Sequence, residues 1–353
     1  MSPELIRLHI SQLIRTIDKS KTNQYADVRK RGYHNKLIDL INLIQKEDLS
    51  TYDYNKQKSL KEVLDFIFLS IEFLDNSTLT TIPHEIVFCL EKALNEWDNT
   101  NGYIIVTSLQ NNISSGYSFN PKLALDPQYY DILNSLFNIK FDYRLIQINL
   151  PKYLVNDYLA NVVLYHELGH FIELKYKISE RLTKLKLHLG ELKPEDGLTY
   201  YYHTAEYFAD IFAAQYVGES SNYYLNYIAH KNGISASHPS TDSRIKIVED
   251  FMNEKTDNDI LNEILIATKA TTKQELRKRF NSISANDFEK FIPTILKNTD
   301  ELHSIFCTGW DLWKKEIESF KEKNIEDQEK YIIINNLIEK SISNYMVMER
   351  WKE

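Results

Sequence analysis

The segment Val163-Leu-Tyr-His-Glu-Leu-Gly-His170 sets two histidines four residues apart, with a glutamate directly after the first. On an α-helix such histidines lie one turn apart on the same face, so His166 and His170 can grip one ion. Glu167 lies about 100° around that helix from His166. Its carboxylate therefore stands beside a metal's open position rather than on the metal, as a general base acting on bound water requires. The chain has 10 histidines in 353 residues, so a chance match has a probability of roughly a few per cent and the motif alone is only a hypothesis.

Catalytic zinc sites take three protein ligands and keep one position for water. Ala205-Glu-Tyr-Phe-Ala-Asp210 supplies the third, because Glu206 and Asp210 are again four apart on one helical face. Glu206 suits zinc, and Asp210 could accept the other ring N–H of a ligand histidine and fix its tautomer. Ala205, Ala209, Ala213 and Ala214 are small enough for this helix to approach the first closely. His203, three residues before Glu206, is the alternative third ligand. The expectation is one Zn2+ per chain on His166, His170 and Glu206, with Glu167 as catalytic base.

A third element is His238-Pro239-Ser-Thr-Asp-Ser-Arg244. The three motifs together resemble the gluzincin class of zinc peptidases, and the His-Pro segment with its following arginine resembles the CAAX-prenyl endopeptidase and HtpX-like family. A weaker likeness is to the soluble ImmA/IrrE-type peptidases. The match spans residues from about 160 to 250. The resemblance implies a zincin-like core, hydrolysis of peptide bonds, an oxyanion-stabilising role for His238 and a supporting role for Arg244.

These motifs need elements to hold them. Helical spacing marks Leu5, Leu8, Leu13 and Ile17, then Leu37, Leu40, Ile41 and Ile44, with further helices over 57–74 and 84–97. Asn101-Gly102 breaks the pattern. Tyr103–Thr107 reads as a strand, and a second runs over Arg144–Leu150, closed by Pro151. One of the two could be an edge that binds substrate as an added strand. A helix capped by Asn156 or Asp157 runs to about Tyr176 and carries Leu159 and Val163 on the stripe of the two histidines. Residues 181–198, with Gly190, Pro194 and Gly197, read as irregular, 200–217 as a helix, 218–237 as loop-rich, and another helix follows Pro239. The remainder is again helical, with Trp310, Trp313 and Ile317 on one buried face. The expected architecture is mostly α with a small β-sheet: a helical region over 1–100, a zincin-like core over 101–255 and a helical region over 256–353.

Other residues read as ordinary. Tyr200, Tyr201, Tyr202 and Tyr207 fit packing, the basic run within 28–31 a solvated helix end, and His9, His34, His84, His188, His230 and His303 have no partner at informative spacing. Net charge −8 and a pI near 5.8 argue against a nucleic-acid partner. Two distant cysteines exclude a disulfide framework, the N-terminus lacks a secretory pattern, and no apolar run suits membrane insertion. The expected function is a cytoplasmic zinc endopeptidase acting on a protein or peptide substrate. The alternative is a non-catalytic, zinc-stabilised peptidase-like scaffold for protein interactions.

Overall fold

The computed structural model describes residues 3–78, 83–98, 100, 102–110, 117–229, 231–315 and 318–352; Asn101, His230 and Ile317 fall outside them. The chain is mostly α-helical with a small three-stranded mixed sheet. Its contacts divide it into two compact units, residues 1–87 with 98–152, and residues 88–97 with 153–353. These bounds differ from a division after 100 and 255.

The first unit contains α1 (Pro3–Ser20), α2 (Val28–Lys46), α3 (Tyr54–Asp75) and the start of α4 (His84–Trp97), whose remainder belongs to the second. It also holds β1 (Tyr103–Gln110), β2 (Ser118–Asn120), α5 (Lys122–Leu125), α6 (Pro127–Phe137) and β3 (Arg144–Pro151). The buried stripe of α1 is Ile6, Ile10, Leu13 and Ile17, whereas Leu5 and Leu8 face solvent. The spacing thus gave the helix but misjudged its inner face. In α2, Leu37, Leu40, Ile41 and Ile44 are buried as expected, and so is Lys30, whose ammonium donates to Ser77 Oγ at 2.6 Å. The basic run is therefore not wholly solvated.

β1 and β3 pair in parallel, and β2 pairs antiparallel on the other side of β3. β3 is central, so Gln147 and Asn149 are buried beside Ile146 and Ile148, and the Asn149 amide donates to Ser118 Oγ at 3.0 Å. Of the two expected strands, only β1 keeps a side unpaired among the described residues.

The second unit continues with α7 (Val163–Tyr176), α8 (Ile178–Leu189), α9 (Gly197–Val217), α10 (Ser220–Ile228), α11 (Thr241–Met252) and α12 (Asp259–Thr272). It ends with α13 (Asn286–Glu289), α14 (Thr299–Lys314), α15 (Glu318–Glu322) and α16 (Asp327–Arg350). α7 begins later than the sequence suggested. The Asp157 carboxylate accepts from Ala160 N at 2.9 Å and from Tyr331 Oη at 2.7 Å, fixing a short 3-10 turn over Ala160–Val162 ahead of the helix. Leu159 thus precedes α7; it is buried, and its carbonyl accepts from Trp310 Nε1. The stretch expected to be irregular holds α8. Gly190, at φ 72°, ends that helix, and Pro194 opens the next turn, so these residues bound helices rather than interrupt one. The loop-rich stretch likewise contains α10.

Candidate metal centre

The site is built where α7 and α9 come closest. A Cβ on Gly169 would lie 2.9 Å from Ala209 Cα and 3.1 Å from Phe212 Cβ, so only glycine permits this approach. Ala209, Ala213 and Ala214 are fully buried along α9. Helical phase then aims His166 and His170 of α7 at Glu206 of α9.

Nε2 of His166 lies 3.5 Å from Glu206 Oε2, and Nε2 of His170 lies 3.5 Å from Glu206 Oε1. The two imidazoles are nearly perpendicular, with ring centres 4.5 Å apart. One ligand atom from each of the three residues falls within 4.8 Å of the others, and the three side chains are largely withdrawn from solvent. This group could hold a metal ion. Tetrahedral bonds of 2.0–2.2 Å place neighbouring ligand atoms about 3.3–3.6 Å apart, and each histidine Nε2 lies 3.5 Å from one oxygen of Glu206. His203 is placed elsewhere: its Nε2 meets the Ser235 carbonyl at 2.7 Å.

Asp210 stands behind His166, with Oδ1 2.9 Å from Nδ1; the two are close but not aligned as a hydrogen bond. Arg244, from the first turn of α11, donates to both oxygens of Asp210 at 2.7 Å. Its Nη1 also lies 3.2 Å from Glu206 Oε2, and its Nη2 3.5 Å from His166 Nε2. The arginine therefore ties α11 to α9 through the carboxylates, a bidentate grip that lysine could not reproduce.

His238 sits at the rim, 57% exposed, with Nε2 3.5 Å from Glu206 Oε1. A local network holds it: Ser237 Oγ is 2.9 Å from Nδ1, the His238 N–H donates to Ser235 Oγ, and Ser235 N donates to the His238 carbonyl. Sequence reasoning missed Ser235 and Ser237, because serine beside histidine carries no signal until the turn is folded.

Burial favours neutral groups here, and neighbouring charges decide the exceptions. Burial lifts the Glu167 carboxyl to about 7, against the opposing pull of His166 and Arg244. Glu167 is 9% exposed, and among the described residues it has no hydrogen bond or ion pair. Burial would lower His166, but Asp210 and Glu206 outweigh it and bring the imidazole to about 9. Burial and the adjacent His166 charge hold His170 down at about 3. Glu206 and Asp210 are both held below the ordinary carboxylate range despite burial, Glu206 chiefly by His166 and Asp210 chiefly by Arg244. The carboxylates of Glu206 and Asp210 thus face the Arg244 guanidinium and the His166 imidazole, while burial favours a neutral Glu167.

Comparison of the chain with protein-family models, with curated proteins and with solved structures gives no match. Among the described residues, no helix is long and apolar enough to cross a membrane.

Proposed function

We propose that this chain is a zinc-dependent endopeptidase that hydrolyses peptide bonds of a protein or peptide substrate. One observation carries the reading: His166, His170 and Glu206 converge beside a buried Glu167 that has no hydrogen bond or ion pair among the described residues. Two histidines and a glutamate are a catalytic zinc set, leaving a position free. His166, His170 and Glu206 would hold the zinc ion, which would supply a water of pKa about 7 and polarisation of a substrate carbonyl.

The chain's own residues do the rest. Glu167 takes the proton of the attacking water and passes it to the leaving amine. The Ser237 hydroxyl can donate to His238 Nδ1, which leaves Nε2–H as a donor toward the developing oxyanion. Asp210 and Arg244 hold His166 and Glu206 in register. A purely structural site has no use for an unpaired buried glutamate, and this weighs against a non-catalytic scaffold.

The test is Glu167→Gln, assayed by mass spectrometry of new peptide termini in a cell extract. The variant should keep about one zinc per chain and lose turnover by about 100- to 10,000-fold. Activity within a few-fold of wild type would remove Glu167 as the base, and absence of zinc from the wild type would remove the reading itself.

A further inference from the structure

We propose that the first unit carries a separate pocket for the phosphate group of a small molecule, formed by the α1–α2 connection and the first two turns of α2. The pocket has a volume of about 390 Å³, and among the described residues no carboxylate lines it. Lys21 and Gln24 approach from the connection; Arg31, His34 and Asn35 approach from one face of α2. In a chain of net charge −8, such a concentration of donors is unlike its average surface.

Three consecutive basic residues have different fates. Arg29 clamps Asp27, its own helix cap, and Lys30 is buried against Ser77. Arg31 alone turns to the pocket, and among the described residues its guanidinium has no ion-pair or hydrogen-bond partner. Gln24 and Asn35 likewise have uncommitted side-chain amides among the described residues. The Lys21 ammonium meets Asp18 at 2.6 Å, but both side chains are about half exposed, so the pair is weak and the lysine can turn inward. The Asn23 amide nitrogen already donates to Asp75 and to the Tyr25 hydroxyl and contributes no further donor.

His34 adds a switchable donor. The Ser20 hydroxyl spends its single hydrogen on the Ile17 carbonyl at 2.9 Å, so at 2.7 Å it can only accept from His34 Nε2. Nε2 therefore carries the proton, and Nδ1 becomes a second donor when the ring charges. Burial and Lys21 hold this imidazole below its ordinary pKa. The groups around it are Lys21, Arg31, the Tyr25 ring at 5.9 Å, Asp18 through Lys21 and Asp75 through Asn23. An anion among them opposes both cations and favours the charged ring.

Two fixed cations, two amides and a chargeable imidazole exceed what the two oxygens of a carboxylate can use. They suit the several oxygens and double charge of phosphate. The pocket's size suits a small ligand.

The experiment titrates the full chain with inorganic phosphate, and in parallel with acetate, following backbone amide resonances. Phosphate should give saturable shifts confined to residues 18–36 and raise the His34 pKa; acetate should not saturate. Arg31→Gln, an exposed change that leaves the fold intact, should weaken phosphate roughly tenfold. Equal, unsaturating shifts with both anions would overturn the proposal, as would unchanged affinity in Arg31→Gln.

Discussion

Gly169→Ala tests the geometry on which the candidate metal centre depends. In an open helix this change stabilises, because alanine is favoured over glycine by about 1 kcal/mol. At Gly169 the added methyl would meet Ala209 Cα at 2.9 Å, Phe212 Cβ at 3.1 Å and the Ala209 carbonyl at 3.2 Å. Two of these atoms are backbone, so no rotamer change relieves the clash. To restore ordinary contact, α7 and α9 must part by about 0.5–1 Å, and overpacking of this kind costs about 1–3 kcal/mol. The net expectation is destabilisation by about 0–2 kcal/mol, from a substitution that elsewhere stabilises. Gly32 provides the control, since it lies within α2 and its Cβ would meet nothing within 4 Å. Gly32→Ala should gain up to about 1 kcal/mol. Parting the helices also stretches the 3.5 Å separations between Glu206 and the two histidines, so zinc affinity should fall roughly tenfold. Urea unfolding measures the first effect and competition with a chromophoric chelator the second. If Gly169→Ala is stabilised like Gly32→Ala and binds zinc as wild type does, the close approach of α7 and α9 is refuted.

Arg244→Ala strands a buried Asp210 without its two 2.7 Å donors and should cost on the order of 3 kcal/mol; adding Asp210→Asn should recover part of that loss in a double-mutant cycle. His238→Ala should keep zinc and substrate affinity while kcat falls by about 100- to 1000-fold; loss of zinc instead would make His238 a ligand. His303 is buried against Tyr165 and Tyr216, and burial holds its pKa at about 3, below the ordinary 6.5. Between those values the unfolded chain binds the extra proton, so stability is lost as pH falls from 6.5 toward 3. Removing that one titration by His303→Asn should flatten the slope of stability against pH by up to about 1.4 kcal/mol per pH unit, and an unchanged slope would show that His303 is not the group responsible.

Local spacing made the elements of the candidate metal centre legible. His166 with His170, and Glu206 with Asp210, are each four apart, and one helical turn converts that spacing into a shared face whatever surrounds it. The strands at 103–107 and 144–150 could be read for the same reason, since β-branched residues report on their own backbone. Boundaries were less secure. Gly190, Pro194 and Gly197 read as one irregular stretch, although the first ends α8 and the others begin α9 and the turn before it. Asp157 caps a 3-10 turn instead of the long helix, a choice fixed partly by Tyr331, far along the chain. The tertiary structure alone decided that Arg244 grips Asp210 across 34 residues, that Ser237 holds His238, that His203 meets a carbonyl, and that Lys30 is buried while Arg31 is not. Helical periodicity is written in neighbouring residues, whereas each of these contacts depends on how separate segments pack, and packing is set by the whole set of side chains between them.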